Sequence, residues 1–259
     1  MLRFRSLASG SSGNATLIEA SDGGLRATRV LVDCGLGLRQ LARQLANTGL
    51  EPGDLTALFI THEHGDHIGC ALALAQRHRI PIWMSAGTAS MLALPENQDV
   101  QVHRARDGDR VAIGALQIRP FTVPHDAREP LQLSCTDGDR VLGILTDLGQ
   151  ATPHVLASLA ACHALLLEAN HDPAMLTASS YPESLKQRIA GNLGHLSNAQ
   201  AAEILAQLHH PRLNVVVAAH LSEQNNRPRL ARKALAEALS CKSDDVLATS
   251  RAGLDWIRV

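Results

Sequence analysis

Short apolar runs alternate with glycine-marked turns through the first half of the chain, and with amphipathic stretches through the second. Residues 2–7, 15–19 and 30–33 read as strands, with the turn Ser9-Gly10-Ser11-Ser12-Gly13-Asn14 joining the first two. In residues 36–47, Leu38, Leu41, Ala42 and Leu45 recur at helical spacing, and Gly49 is suited to end that helix. Residues 55–61 predict a strand leading into His62-Glu63-His64-Gly65-Asp66-His67, and residues 68–79 resume a helix. Strands are predicted over 81–85 and 100–103, either side of a helix over 88–94. Two hairpin-like segments follow, around Asp107-Gly108-Asp109 and Asp137-Gly138-Asp139. Beyond them, helices are predicted over 153–162, 183–190, 198–210 and 229–239, and strands over 164–168, 215–219, 246–249 and 255–259. Strands in both halves with helices between and after them predict an α/β protein, two sheets sandwiched by helices. No long linker or fixed-period repeat divides it, so residues 1–259 read as one domain.

Composition agrees: 45% hydrophobic residues supply a sizeable core. The formal net charge of -1 gives no global basic field, which weakens a nucleic-acid or membrane partner but leaves room for a local basic patch. No signal-peptide h-region or membrane-length apolar run is visible, so a soluble, cytoplasmic protein with no membrane partner is expected. The five cysteines are scattered and never spaced as CxxC, which predicts buried, reduced thiols and no zinc knuckle. No heptads appear, and the oligomeric state stays open.

The chemistry concentrates after the fourth strand. His62, His64, Asp66 and His67 place four metal-competent side chains within six residues. Imidazole and carboxylate are ligands that zinc and its neighbours favour, and catalytic sites mix them. On a tight loop at a strand end, His62 and His64 can turn to one metal while Asp66 and His67 face a second. The run is not the HExxH pattern, because Asp66 stands where that motif needs its second histidine.

Thr61-His62-x-His64-x-Asp66-His67 after a strand resembles the signature of the metallo-β-lactamase superfamily. The resemblance implies a four-layer αββα sandwich with two divalent metals at one edge of its sheets. It further implies later ligands at strand ends, for which His125, Asp147 and His220 stand after the apolar runs 121–124, 142–146 and 215–219. Carried over, His62, His64 and His125 hold one metal, Asp66, His67 and His220 the other, and Asp147 bridges them. Asp33 matches a position that supports the histidine loop. Zinc suits this ligand set best, with manganese or iron as alternatives.

Further segments resemble the bacterial YycJ (WalJ) family across essentially the whole chain: 6–14, 168–172, 181–189, 194–198 and 220–226. Ala8 and Ala169 depart from residues common there, glycine and serine, and neither is a ligand. That family implies a nuclease acting 5′ to 3′ on DNA, with a proposed role in mismatch repair; DNA is expected over RNA as substrate. A hydroxide bridging two metals would attack phosphorus, with Asp66 orienting it and His195 stabilising the oxyanion or protonating the leaving oxygen.

The residues themselves leave alternatives. The 9–14 segment, with Ser11 and Asn14, is either a plain hairpin turn or an anion cradle. Ser197 and Asn198 read as the cap of the following helix, and beside His195 that helix end is a candidate phosphate seat. Glu168 and His171 read as hydrogen-bonding support near the site more than as direct catalysts. Arg227, Arg229, Arg232 and Lys233 are either a solvated helix face or a track for a nucleic-acid backbone. Two rival functions remain: hydrolysis of a small thioester or lactone by the same metals, and a non-enzymatic, metal-stabilised binding or scaffold protein. The second predicts degraded ligands, whereas all seven positions carry competent side chains.

Overall fold

Apolar runs flanked on both sides by other apolar runs must be covered on both faces, and that requirement sets the architecture. A computed structural model describes residues 1–21, 23–24, 27–92, 94 and 100–259. The chain begins with β1 (Leu2–Ala8), β2 (Ala15–Ala20), β3 (Thr28–Val32) and α1 (Leu38–Ala46). Next come β4 (Ala57–Phe59), α2 (Gly65–Ile68), α3 (Ala71–His78), β5 (Ile82–Met84), α4 (Ala86–Met91) and β6 (Val102–Arg104). The second half opens with β7 (Val111–Ile113), β8 (Leu116–Thr122), β9 (Leu131–Thr136), β10 (Val141–Leu145), α5 (Pro153–Leu159) and β11 (Ala164–Glu168). It continues with α6 (Pro173–Ala178), α7 (Glu183–Ala190), α8 (Asn198–Leu208), β12 (Val215–Ala219), α9 (Pro228–Leu239), β13 (Leu247–Ala248) and β14 (Leu254–Arg258).

Two seven-stranded sheets result, in the orders β14-β1-β2-β3-β4-β5-β6 and β13-β12-β11-β10-β9-β8-β7. The period-2 alternation of each strand divides its side chains between two layers. Phe4, Ile18, Val30, Val32 and Phe59 of the first sheet meet Leu133, Leu142, Ile144, Leu166 and Val217 of the second in a shared central core. The opposite faces pack outward. Leu17, Leu31 and Leu58 meet Leu41 and Leu45 of α1 and Leu74 of α3, while Leu165, Leu167 and Val216 meet Val155 of α5, Ile204 of α8 and Leu235 of α9. This is the four-layer αββα sandwich expected.

Several boundaries differ from the sequence pattern, each for a local reason. The helix expected over 68–79 is broken at Gly69 (φ 34), where a Cβ would lie 2.3 Å from the Cys34 carbonyl oxygen. The strand over 30–33 stops at Val32 because Asp33 turns into the left-handed region at φ 59. Asp107-Gly108-Asp109 is not a hairpin tip: it precedes β7 on the passage between sheets, and β7 pairs with β8 beyond it. Asp137-Gly138-Asp139 does join the antiparallel pair β9 and β10. The helix expected over 88–94 forms as α4, and Ala93 lies outside the described residues. α6 escaped the pattern because it buries only Leu176; its signal is the Asp172 cap, whose carboxylate accepts the Met175 N–H at 2.9 Å. The thiols also divide: Cys34, Cys135 and Cys162 are buried, but Cys70 is partly exposed and Cys241 exposed, which corrects the expectation of uniform burial. Among the described residues, no helix is long and apolar enough to cross a membrane.

Candidate metal centre

β3 to β6 run parallel, as do β10 to β13, so their carboxyl ends gather along one edge of the sandwich. That edge receives Asp33 after β3, the 61–67 loop after β4, Asp147 after β10, Glu168 at the end of β11 and His220 after β12. His125 follows β8, which lies two antiparallel pairings from β10 and therefore points the same way. The backbone turns sharply at this edge: Asp33, Asp147 and His220 hold φ of 59°, 55° and 53°. Left-handed backbone costs a non-glycine residue about 1–2 kcal/mol, and here it swings three side chains across the strand ends. Gly35 lets the Asp33 turn sit directly beneath the loop, since a Cβ there would fall 1.7 Å from the Asp66 carbonyl oxygen.

His62, His64 and His125 form one cluster. His64 Nδ1 lies 3.1 Å from His62 Nε2 and 3.3 Å from His125 Nε2. The outer nitrogens fix the protons. His125 Nδ1 donates to the Gly194 carbonyl at 3.2 Å. Thr61 donates its hydroxyl proton to Asp33, so its oxygen accepts from His62 Nδ1 at 3.0 Å. Two lone pairs therefore face His64 Nδ1, which carries one proton at most. Burial first, and then the neighbouring His67, holds the His62 ring well below its ordinary pKa, and burial lowers His125.

Asp66, His67 and His220 form the second cluster. His67 Nδ1 donates to Asp33 Oδ2 at 2.8 Å, and its Nε2 faces Asp147 Oδ2 at 3.0 Å and Asp66 Oδ2 at 3.5 Å. His220 Nδ1 lies 3.1 Å from Glu168 Oε1 and 3.0 Å from Asp147 Oδ1, leaving Nε2 3.6 Å from Asp66 Oδ2. Burial alone would raise the Asp147 carboxyl, but His220 and His67 beside it hold it well below the usual range. Burial likewise opposes charge on His67 and His220, and Asp147 overrides it, raising both well above an ordinary histidine.

These residues fit two cations. Asp147 Oδ2, although 3.0 Å from His67 Nε2, and His220 Nε2 are buried polar atoms that make no aligned hydrogen bond, a condition that carries a cost unless something else satisfies them. Ligating atoms of His62, His64 and His125, and those of Asp66, His67 and His220, lie within 4.8 Å of one another in each set, and Asp147 joins His62 and His67 in a third such group. Imidazole with carboxylate is a donor set for a first-row divalent metal.

Around the clusters lies a cleft of about 400 Å³, lined among others by Ser11, Asp66, Asp126, Tyr181, Arg188 and His195. His195 Nδ1 is 2.8 Å from Glu168 Oε1 and its ring is partly exposed. Burial works against charge on this ring, but Glu168 raises its pKa overall. Glu168 itself is fully buried and spends both oxygens: Oε1 on His195 and His220, Oε2 on the backbone N–H groups of Leu148 and Leu196 at 3.1 Å each. Burial would raise Glu168, and His195 brings it down to about 2. His171 is buried with Nδ1 unpartnered, and burial lowers it to about 4.

Three residues expected to touch substrate do not present free groups to the cleft. Asn14 is buried, accepting the Gly10 N–H at 2.9 Å and turning its amide to the Asp66 carbonyl oxygen at 3.3 Å, so it clamps turn to loop. Ser197 caps α8 in a reciprocal box with Gln200. Asn198 is buried and paired with Asn226 at 3.0 Å. Ser11 stands exposed at the rim. Glu63, inside the histidine run, turns away to the Arg128 N–H at 2.7 Å. Sequence reasoning missed Asp126 and Arg188, which pair at 2.6 Å across the cleft; the one available signal was a carboxylate directly following His125.

Comparison with known proteins places the arrangement. Residues 28–220 match the family model described as the Beta-lactamase superfamily domain. Exodeoxyribonuclease WalJ of Streptococcus pneumoniae serotype 2 (strain D39 / NCTC 7466) is 33% identical over 242 residues, spanning 92% of this chain and 88% of that one. Exodeoxyribonuclease YycJ of Bacillus anthracis is 30% identical over 246 residues, spanning 93% and 90%. Among solved structures, the metallo-beta-lactamase fold protein YhfI from Bacillus subtilis superposes with a TM-score of 0.74 over 99% of this chain and 98% of that one; at 17% identity, the likeness is one of fold.

Proposed function

The chain belongs to the β-lactamase superfamily as a metal-dependent hydrolase, and on that premise we propose that it is a 5′-to-3′ exonuclease acting on DNA. In this reading His62, His64 and His125 hold one divalent ion, Asp66, His67 and His220 a second, and Asp147 lies between them. Zinc is the ion best matched to so many imidazoles. Bound there, the ions supply a water with pKa lowered from 15.7 to around 7 and neutralise charge on phosphoryl oxygens.

The chain's own residues supply the rest. Asp66, at the cleft wall, orients the attacking water and accepts its proton. His195 has Nδ1 committed to Glu168 and a raised pKa, so it carries a proton to the leaving oxygen of the phosphodiester. Ser11, exposed at the rim, offers a hydroxyl to a phosphate oxygen. In this reading residues 1–259 act as one domain, which the central core shared by both sheets supports.

The observation that carries this reading is His195. A phosphodiester needs a proton for its leaving oxygen, and the buried carboxylate Glu168 keeps this ring supplied with one beside the two clusters. The names of relatives matched over nine-tenths of the chain supply the polymer. The test is digestion of end-labelled duplex and single-stranded DNA, with zinc or manganese added and with a chelator, using Asp66→Ala as control. Metal-dependent shortening from the 5′ end, absent in the variant, is expected. Faster cleavage of RNA would reassign the polymer, and cleavage of a thioester but of neither nucleic acid would overturn the phosphodiester reading.

A further inference from the structure

Two groups of cations beside the metal edge differ, among the described residues, in how far they are engaged within the chain. Arg227, Arg232 and Lys233, at the start of α9, are engaged within the chain. Arg227 donates to the carbonyl oxygens of Glu223, Gln224 and Asn226. Arg232 is paired with Asp244 and also donates to the Val246 carbonyl. Lys233 lies 3.7 Å from Glu237. Of that run only Arg229 keeps an unengaged guanidinium among the described residues. Of the two readings of this run, the track is weakened: Arg227 and Arg232 brace the chain, and Lys233 pairs loosely along the exposed helix face.

On the other side of the 9–14 turn, Arg39, Gln40, Arg43, Gln44, Asn47 and Arg251 line a shallow groove of about 910 Å³. Arg39, Arg43 and Arg251 are exposed, and their guanidinium groups meet no hydrogen-bond or ion-pair partner among the described residues. α1 contains no acidic residue. Arg39 sits in its first turn, at the positive end of the helix dipole, and Arg43 stands one turn later at i+4, where like charges repel. Arg43 also lies in the last turn, where the dipole favours a cation, so it is the Arg39 placement that opposes helix stability and that folding does not account for. The amides of Gln40, Gln44 and Asn47 alternate with the arginines and suit phosphate oxygens. The groove also abuts the catalytic edge. The Ser250 carbonyl, next to Arg251, accepts the Ser9 N–H at 3.0 Å, and Gly13 packs on the Gly35 carbonyl just ahead of α1. Ser11 lines the metal cleft from the same turn.

We propose that this groove carries the backbone of a nucleic-acid strand whose end lies in the metal cleft, the strand crossing the 9–14 turn at Ser11 to reach Arg39, Arg43 and Arg251. The inference rests on the phosphodiesterase reading and adds where the uncut strand lies. Charge complementarity selects the occupant: guanidinium and amide donors with no carboxylate among the groove's lining residues match a repeating phosphate chain. At the adjoining turn stands the carboxylate of Glu223, held by Ser12 at 2.9 Å. A chain of net charge -1 can then hold a polyanion through a local patch.

The test compares wild-type protein with the triple variant Arg39→Ala/Arg43→Ala/Arg251→Ala on two substrates, a 20-nucleotide single strand and bis(p-nitrophenyl) phosphate. The variant should cleave the small diester normally while its KM for the strand rises. Losing three phosphate contacts should reduce the salt slope by about 2, so that between 50 and 200 mM salt the wild type loses roughly 20-fold more affinity than the variant. An unchanged KM and salt slope for the strand would overturn the track. So would equal losses on both substrates, or lost binding to phosphatidylglycerol vesicles with strand binding intact. If wild-type protein hydrolyses the small diester but no strand, the polymer reading fails, which is a separate result from a variant that matches an active wild type.

Discussion

The two histidine clusters differ in what holds them. His62, His64 and His125 are steadied by a hydroxyl and a carbonyl, and their inner nitrogens face one another with one proton at most to share. His67 and His220 are instead fastened to the carboxylates Asp33 and Glu168, which are buried and themselves tied to backbone N–H groups. A carboxylate behind a histidine fixes its orientation and makes the free nitrogen a better ligand. In the first cluster burial lowers His62 and His125 with no carboxylate fastened behind them, whereas in the second His67 and His220 are raised and fastened to carboxylates. The strain at Asp33, Asp147 and His220 falls on the second cluster and its supports, where parallel strand ends are rigid enough to hold it.

Asp147 is the residue through which that contrast should be broken most completely. It faces His67 and His220 at 3.0 Å each and lies 3.9 Å from His125 Nε2. Asp147→Ala should release metal and reduce turnover by at least ~10³-fold, on the scale of losing a group that stabilises the transition state directly. Metal content by atomic emission beside a phosphodiesterase assay checks this; a fully metallated variant would refute the placement between the ions. His195→Ala should cost about 10²–10⁴-fold in turnover while metal content stays unchanged. Near-normal activity in that variant would remove the proton-donor role.

Next in size is Glu168→Gln, which acts on one cluster only. The neutral amide can no longer polarise His220 or His195. Losing such a support typically weakens metal binding about 10–100-fold, and here the second ion alone should suffer. Titration of metal-free protein followed by calorimetry should show one affinity falling and the other constant. Equal losses at both would mean that the clusters are not independently supported.

The same contrast explains what could be read from the sequence. The histidine run was legible as four metal-competent side chains behind an apolar strand, whereas His125, Asp147 and His220 became candidates only through the family resemblance, which expects ligands at later strand ends. Two sheets sandwiched by helices were legible from strands in both halves with helices between and after them; the run 164–168 is apolar up to Glu168, and its residues divide between two cores. For Asn14, Ser197 and Asn198 the sequence left two readings, because polar residues near a site look alike whether they face substrate or brace the backbone; the cap read at Ser197 forms with Gln200, and Asn14 and Asn198 are held by Asp66 and Asn226. The Asp126–Arg188 pair joins residues 62 positions apart, and the Arg39, Arg43 and Arg251 groove joins α1 to the loop before β14. No local pattern announces either.

Proton count offers the finest measure of the difference between clusters. Without metal, His67 and His220 have pKa values raised well above 6.5 by Asp147, so near neutral pH both rings carry an extra proton. His62 and His125 are lowered by burial and are neutral there. A metal ligand must give up its proton. Loading the second cluster should therefore release protons, and its affinity should fall about tenfold per pH unit for each proton displaced as pH drops below 7. His62 and His125 should add little to the release until pH falls well under 6.5. Calorimetry in two buffers of different ionisation enthalpy counts the protons for each ion. The metal-free protein should show the matching stability trend. The contribution from raised His67 and His220 is complete below about 6.5 and is lost as pH rises through their folded values. That from depressed Glu168 is complete above about 4.3 and is lost as pH falls towards about 2. Equal proton release at both clusters would mean that the Asp147 charge is shared evenly between them, and the electrostatic distinction between the clusters would disappear.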